Sequence, residues 1–209
     1  MKISVIGTGR MGKGLVNVLS PFVQELMWGS RSIEKVTGLV KVGKYEFVKP
    51  VELTEALQAD MIIHSLWFRD LQPWAAANKT RLAGKILVDI ANPFTEDFNA
   101  FTLPWGTSAA EEMQRLLPHT TVVGAFKNTF YKVLEEPIYQ DQQSDIYVTG
   151  DDESAKKIVM DVFDPLPFRV LDGGGLINNR TIERMTLFER ELAIRYGCYP
   201  YISFRMFGI

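Results

Sequence analysis

Short, largely apolar runs recur along the chain and are bounded by polar residues or glycine. Runs of this length, rich in β-branched residues, are typical of buried parallel strands. We predict strands at Ile3–Ile6, Val23–Trp28, Met61–Leu66, Ile86–Ile90, Thr121–Phe126 and Ile146–Val148.

Between these runs, apolar residues recur at helical spacing. We predict helices at Arg10–Leu19, Ile33–Leu39, Glu52–Gln58, Asp70–Leu82, Thr107–Leu117, Ser154–Phe163 and, near the end, from about Ile177 to Tyr196. Strands that alternate with helices indicate βαβ units. The expected fold class is therefore α/β: a Rossmann-type doubly wound, mostly parallel sheet. We expect one dinucleotide-binding domain over residues 1–209, with 172–209 as a C-terminal helix and aromatic tail.

A glycine-rich turn follows the first predicted strand and leads directly into a helix. Its residues fit the pattern G-x-G-x-x-G, in which each glycine has a physical role. The first permits the tight turn, the second lets a pyrophosphate approach the backbone, and the third lets helix and strand pack closely. The candidate pyrophosphate-binding residues are Gly7, Thr8, Gly9, Arg10, Met11 and Gly12.

The end of the second predicted strand favours NADP(H) over NAD(H). An NAD site would carry an acidic residue there to bind the ribose hydroxyls, but this chain has Ser30 and Arg31, with Lys35 one helical turn further on. A hydroxyl and two cations would bind the 2'-phosphate that a carboxylate repels. The alternative is that Arg31 and Lys35 simply begin a solvated helix.

The loops after the strands that begin at Met61, Ile86 and Thr121 are expected to surround the nicotinamide. In doubly wound sheets the ligand crosses the carboxyl ends of the strands. These loops combine apolar surface with hydrogen-bonding groups, as at Ala125-Phe126-Lys127-Asn128, although Trp67, Phe68 and Phe126 could equally be core residues and Asn92-Pro93 a turn. The candidate residues are Leu66, Trp67, Asn92, Pro93 and Ala125.

Composition narrows the possible partners to small molecules. The chain has 23 basic and 25 acidic residues, so its net charge of -2 gives no attraction to nucleic acid or to an anionic membrane. The single cysteine, Cys198, is expected to be a packed thiol, and no cysteine or histidine cluster predicts a metal site. We see neither a signal peptide nor a membrane span, and we expect a cytoplasmic protein.

No catalytic side chain can be assigned. His64 falls inside a predicted strand and is expected to be buried and hydrogen-bonded, whereas His119 is expected to be exposed in a turn. Hydride transfer from a nicotinamide to a flavin-like ring needs only alignment, so the lack of an acid or base favours that reaction over alcohol oxidation.

The sequence resembles the family of F420-dependent NADP oxidoreductases, which pass hydride between NADP(H) and a 5-deazaflavin. The resemblance covers nearly the whole chain: Gly7 to Gly14, Gly29-Ser30-Arg31 with Lys35, Gly150 to Ser154, and Asp172, Gly174, Leu176, Asn178, Arg180 and Glu183. It implies that Thr8 to Met11 contact the pyrophosphate, that Ser30 and Arg31 hold the 2'-phosphate, and that Asn92 and Ala125 lie near the nicotinamide. The segments 84–93 and 122–128 are more similar to the reductase domain of STEAP-type metalloreductases, which reduce a flavin.

The expected function is therefore an NADP(H)-dependent oxidoreductase that transfers hydride to a flavin, a deazaflavin or another small acceptor. One alternative is an enzyme of the pyrroline-carboxylate reductase or hydroxyacid dehydrogenase type, but little chain follows Asp172 to form the helical second domain of those enzymes. Another is a non-catalytic NADP(H) sensor, against which an open pocket beside Asn92 would argue. The apolar, aromatic tail from Tyr199 to Phe207 predicts either a homodimer interface or burial of the tail within one subunit.

Overall fold

The computed structural model describes all residues from 1 to 209. Its strands and helices alternate through the first two thirds of the chain, as the apolar pattern predicts. In chain order they are β1 Ile3–Ile6, α1 Arg10–Leu19, β2 Leu26–Ser30, α2 Ile33–Gly43, β3 Val48–Glu52, α3 Leu53–Ala56, β4 Met61–His64, α4 Phe68–Ala77, α5 Lys79–Leu82, β5 Ile86–Asp89, α6 Ala109–Leu116, β6 Thr121–Gly124, α7 Tyr131–Glu135, β7 Ile138–Tyr139, β8 Gln142–Gln143, β9 Asp145–Val148, α8 Glu153–Phe163, β10 Arg169–Asp172, a 3₁₀ turn Leu176–Asn178, and α9 Asn179–Arg195.

The main sheet has six parallel strands in the order β3-β2-β1-β4-β5-β6. The order reverses between β1 and β4, so the carboxyl ends of these two strands flank the crevice where doubly wound sheets bind ligands. The Rossmann-type α/β fold is therefore confirmed.

Apolar cores cover both faces of the sheet, which explains why its central strands are apolar throughout. On one face Trp28 and Phe126 pack with Phe163 of α8. On the other, Ile62 and Leu87 pack with side chains of α4 and α6. Helices on both faces thus hold the strand ends, and the loops that follow them, in fixed positions.

The predicted strand at Ile146–Val148 does not extend the parallel sheet. It forms β9, which pairs in parallel with β10, a strand that the sequence analysis missed. An antiparallel bridge between Gly124 and Thr149 joins this small sheet to the end of β6. The side chain of Asp152 caps α8 by accepting from Ala155 N.

Several predicted boundaries were wrong. The second strand begins at Leu26, not Val23, and extends to Ser30. The expected helix Asp70–Leu82 is two helices, α4 and α5, separated at Asn78, whose side chain donates to Trp74 O at 2.8 Å. The expected helix Glu52–Gln58 is only one turn long and follows the unpredicted strand β3.

The aromatic tail packs beside β9 and β10 of its own chain. Asp145 N donates to Phe204 O, and Arg169 hydrogen-bonds to Met206 O and Ile209 O. Phe207 still exposes 80% of its surface.

Cys198 is exposed, so the expectation of a packed thiol was wrong. This residue lies beyond the last turn of α9 and not on the buried face of that helix.

Candidate active site

Two glycines of the predicted pyrophosphate turn are required by its geometry. Gly7 has a φ of +115°, which side chains rarely adopt, and a Cβ there would lie 2.2 Å from Ser65 Oγ. A Cβ on Gly12 would lie 2.3 Å from Gly7 O, so only glycine lets α1 approach the turn this closely. The first and third glycines therefore have the roles that the fingerprint predicts.

Gly9 differs from its neighbours because a Cβ there would meet nothing within 4 Å. Gly9 is the N-cap of α1, no side chain caps the helix, and its first turn holds no acidic residue. The backbone N–H groups at this helix start are therefore free for an anion, which the helix dipole also favours. The open space at Gly9 is where a pyrophosphate could approach the backbone.

The predicted 2'-phosphate residues lie at the end of β2 and the start of α2. Arg31 and Lys35 are exposed, and neither forms an ion pair with an acidic residue of the chain. Ser30 is engaged: its hydroxyl donates to Ser32 O at 2.8 Å and accepts from Ser32 N at 3.1 Å. Ser30 thus shapes the turn, and the cations Arg31 and Lys35 are free to meet a phosphate.

A cavity of about 230 Å³ lies between the glycine-rich turn, the loops after β4 and β5, the segment after β6, and α9. Gly9, Arg10 and Met11 form part of its wall, so it is continuous with the turn. Its walls are mostly apolar and aromatic, with contributions from Trp67, Phe68, Phe94, Phe98, Phe126, Phe130, Tyr131 and Tyr199.

The structure brings only some of the predicted nicotinamide residues to this cavity. Leu66, Trp67 and Asn92 line it. Pro93 and Ala125 are buried and do not contribute to its wall. Pro93 instead accepts hydrogen bonds from Thr102 N and Oγ1 through its carbonyl, which holds the loop between β5 and α6.

Asn92 presents an unused acceptor beside the cavity. Its Nδ2 donates to Lys127 O at 2.7 Å, which fixes the orientation of the amide. Its Oδ1 is buried and has no hydrogen-bond partner. Buried polar atoms are rarely left unsatisfied, so this oxygen is a candidate acceptor for a ligand N–H group.

Lys127 was expected near the nicotinamide, but it lies beneath the cavity floor instead. The backbone of Phe126 has a φ of +54°, and the ring of Phe126 points into the core against Phe163. Lys127 Nζ then lies 2.9 Å from Asp89 Oδ2, 2.9 Å from Glu183 Oε1 and 2.6 Å from Ala91 O. The ammonium group has three donors, and these acceptors use all of them.

His64 completes this buried cluster at the end of β4. The imidazole is fully buried, its Nε2 lies 2.9 Å from Asp89 Oδ1, and its Nδ1 accepts from Leu66 N at 3.4 Å. The prediction of a buried, hydrogen-bonded histidine is confirmed, as is the exposure of His119. At the far end of the cluster Glu183 accepts from Ala109 N, at the start of α6.

Charges within the cluster determine its protonation. Burial by itself would raise the pKa of Asp89, but Lys127 and His64 outweigh it and hold the pKa of this carboxyl well below its usual range. Burial raises the pKa of Glu183, and the attraction of Lys127 opposes that shift. The cluster ties β4, β5, the segment after β6 and α9 together under the cavity, so its role is to hold the cavity floor in position.

Helix α9 also forms part of the cavity wall, which the sequence pattern did not predict. Thr186 and Arg190 line the wall, and Thr186 Oγ1 donates to Lys127 O at 2.6 Å. In the sequence these residues belong to an amphipathic helix with several arginines, and no local pattern separates Arg190 from its neighbours. Only the fold brings this helix to the end of β5.

No group of three or more His, Cys, Asp or Glu side chains is arranged to hold a metal ion. None of the helices combines the length and the apolar character needed to span a membrane.

Comparison with known proteins agrees with this geometry. Residues 2–93 match the family described as NADP oxidoreductase, coenzyme F420-dependent. Over 94% of both chains, the sequence is 32% identical to an F420-dependent NADP reductase from Methanocaldococcus jannaschii. It is 28% identical to the metalloreductase STEAP3 from Rattus norvegicus over 89% of this chain and 36% of that protein.

A solved structure shares the fold over nearly the whole chain. It is that of a candidate F420-dependent NADP reductase from Arthrobacter sp. FB24, with a TM-score of 0.82 and 23% sequence identity. The superposition covers 94% of this chain and 95% of that one. The superposition therefore extends beyond the parallel sheet into the C-terminal part of the chain.

Proposed function

This chain belongs to the family of F420-dependent NADP reductases, and on that premise we propose that it transfers hydride between NADP(H) and a flat conjugated ring of the flavin or deazaflavin type. NADP-dependent oxidoreductase activity follows from family membership. The identity of the hydride acceptor, and the residues that bind the nucleotide and the acceptor, are proposed from the geometry of the site.

The aromatic cavity beside the glycine-rich turn is the observation that carries this proposal. It begins at Gly9, beside the uncapped start of α1, and extends past Asn92 to α9. A nucleotide whose pyrophosphate lies at the helix start would therefore direct its nicotinamide into the cavity. An open cavity at this position favours an enzyme over a sensor whose nicotinamide face is blocked.

Each proposed contact with NADP(H) uses a group that has no other partner in the protein. Arg31 and Lys35, which lack acidic partners, would bind the 2'-phosphate, and the backbone at Gly9 would bind the pyrophosphate. Asn92 Oδ1 would accept a hydrogen bond from the nicotinamide carboxamide, because this oxygen is otherwise unsatisfied. When bound, NADPH supplies the hydride.

The cavity wall supports transfer to a conjugated ring. Besides the phenol groups of Tyr131 and Tyr199, it contains no side chain that commonly acts as an acid: no carboxyl, imidazole, thiol or lysine group. Reduction of a carbonyl or an imine usually relies on a positioned acid, most often one of these groups. The aromatic walls instead suit a flat ring stacked beside the nicotinamide, where alignment and exclusion of water are the main requirements.

Two expectations about the whole protein stay predictions. A homodimer is proposed because the tail keeps Phe207 exposed. A cytoplasmic location likewise stays a prediction. No nucleic-acid or membrane partner is proposed.

Binding and turnover together test the function. Fluorescence titration with NADPH and NADH should show a preference for NADPH, and bound NADPH should then be oxidised by FMN, FAD or 5-deazariboflavin. In Asn92→Ala, we expect NADPH to bind with less than about tenfold loss, since one neutral hydrogen bond contributes about 1 kcal/mol, while hydride transfer slows further through misalignment. Tight NADPH binding with no oxidation by any of the three acceptors would instead support the sensor.

A further inference from the structure

Arg190 of α9 lines the cavity with most of its hydrogen-bonding capacity unused. An arginine has five N–H donors. In this structure Nη1 donates to Asn99 Oδ1 at 3.1 Å, and the buried Nε has no partner. No carboxylate oxygen lies within ion-pairing distance of the guanidinium, although five other arginines of the chain, at 69, 115, 169, 180 and 195, do have such partners.

The neighbouring acidic residue does not neutralise this cation. Glu189 is buried, its carboxyl oxygens accept no hydrogen bond from a side chain, and the nearby backbone N–H of Phe204 offsets the effect of burial only in part. Burial raises the pKa of Glu189 to about 9, so that it is protonated and uncharged at neutral pH. Arg190 therefore brings a positive charge without an acidic partner to a largely aromatic wall, where its neighbours are the Asn99 amide and the ring of Tyr199, whose centroid is 5.9 Å away.

Arg190 is also separate from the groups assigned to the nucleotide. The glycine-rich turn follows β1, Arg31 follows β2 and Asn92 follows β5, whereas Arg190 comes from α9. A cation in an apolar cavity binds an oxygen that carries negative charge far more strongly than it would in water. The remaining ligand in this cavity is the hydride acceptor.

We propose that Arg190 donates a hydrogen bond to a ring oxygen of the hydride acceptor and stabilises the negative charge that hydride transfer places on that ring. This inference rests on the proposed function, and it defines the acceptor class. The acceptors are cyclic conjugated carbonyl compounds, in which the added electron pair is delocalised onto an oxygen. Flavins and deazaflavins both belong to this class.

The step balances without any further reagent. A C–H bond of NADPH breaks and its hydride forms a bond to the acceptor ring, so NADPH is oxidised to NADP⁺ and the ring is reduced by two electrons. The reduced ring carries one negative charge, which Arg190 stabilises until water supplies a proton. Arginine stays protonated throughout, because its pKa is too high for it to act as the acid.

Comparing the reduction of an acceptor that has a ring carbonyl with that of an acceptor that lacks one distinguishes stabilisation of the ring oxygen from a structural role of Arg190. Lumiflavin has ring carbonyls and no phosphate, whereas N-methylphenazinium accepts hydride, carries a positive charge and has no carbonyl. With NADPH bound, single-turnover reduction of lumiflavin by Arg190→Gln should be about 10 to 100 times slower than by wild type. Reduction of N-methylphenazinium should change by less than about threefold or become faster, since no negative charge forms on an oxygen.

The matched control is Asn99→Ala, which removes the side chain that accepts a hydrogen bond from the Arg190 guanidinium and leaves the charge in place. We expect this variant to reduce lumiflavin within about threefold of wild type. Arg190→Lys, which keeps a charge without the planar fork, should lie between wild type and Arg190→Gln. Lumiflavin binding to the NADP⁺ complex, followed by flavin fluorescence, should weaken in Arg190→Gln and not in Asn99→Ala.

Three results would overturn the assignment. Equal slowing of both acceptors in Arg190→Gln, reproduced by Asn99→Ala, would make Arg190 a clamp for the loop that carries Asn99. Unchanged lumiflavin reduction and binding in Arg190→Gln would leave the proposed function intact and remove Arg190 from it. A wild type that reduces neither acceptor would overturn the proposed function itself, and this inference with it.

Discussion

The ammonium group of Lys127 lies 2.9 Å from the carboxylate of Asp89, and the two side chains are 1% and 0% exposed. Glu183 occupies the other side of the same ammonium group at 2.9 Å. This buried cation therefore joins a strand end of the sheet to α9, directly under the cavity. Ion pairs of this kind are sensitive to the loss of one partner, because the remaining charge is left buried and uncompensated.

We expect Lys127→Met to lower the free energy of unfolding by about 3 to 5 kcal/mol, as measured by urea denaturation. The control is Lys132→Met, which removes a partly exposed lysine from its pairs with Glu135 and Glu136 and should change stability by less than about 1 kcal/mol. Similar losses in the two variants would show that the buried pairs have no special role in holding the cavity floor.

Arg31→Ala should weaken NADPH binding by about 1.5 to 3 kcal/mol and leave NADH binding nearly unchanged, because only NADPH carries the 2'-phosphate. Calorimetric or fluorescence titration measures both constants. Arg81→Ala, which removes another exposed arginine of a different helix, should affect neither. Equal losses for NADPH and NADH in Arg31→Ala would refute the selector role.

Gly9→Val should abolish binding of both nucleotides while leaving the fold intact. A Cβ at position 9 would meet no other residue within 4 Å, so the valine should fill the space that the pyrophosphate needs and not displace the protein. Gly12→Val should instead unfold or severely destabilise the protein, because its Cβ would lie 2.3 Å from Gly7 O. Thermal melting with nucleotide titration distinguishes the two, and normal NADPH binding by Gly9→Val would contradict the turn assignment.

Glu189 should make stability depend on pH. The pKa of its carboxyl rises from about 4.5 in the unfolded chain to about 9 in the fold, so the native state retains a proton that the unfolded state releases. The contribution of the protonated Glu189 to the free energy of unfolding is fully present below pH 4.5 and is lost as pH rises toward 9.

Between pH 5 and pH 9, the free energy of unfolding of wild type should therefore fall by up to about 1.4 kcal/mol per pH unit relative to Glu189→Gln. Glu189→Gln keeps a neutral side chain of the same shape and should lack this component. Urea denaturation across the range measures the difference. Parallel curves for the two proteins would mean that Glu189 ionises in the fold without penalty.

The central strands could be predicted from the sequence because both of their faces are buried, which makes them apolar throughout. The edge strand β3 could not, since its residues Val48–Glu52 include Lys49, Pro50 and Glu52, and a strand exposed at an edge tolerates such polar residues. Strand β10 lies in a second small sheet and is only partly buried. Its pairing with β9 depends on a crossover through α8 that no local pattern reveals.

The glycine-rich turn that we propose for the pyrophosphate could be located from the sequence because its residues are contiguous in the chain. The glycine turn and Arg31 each follow a strand end and need no distant partner. Lys127 and Arg190 depend on α9, which reaches the sheet from the last third of the chain, and Lys127 meets Glu183 across 56 positions of sequence. The residues next to Lys127 and Arg190 in the sequence do not indicate such long-range contacts.

Transfer of deuterium tests the central claim most directly. NADPH labelled with deuterium at C4 of the nicotinamide would be mixed with the protein and 5-deazariboflavin in ordinary water, and the reduced product analysed by mass spectrometry and NMR. Direct hydride transfer within the cavity predicts deuterium on C5 of the product, where the carbon-bound label does not exchange with water. A reduced product without deuterium, or no reduction of the ring despite tight NADPH binding, would contradict the account.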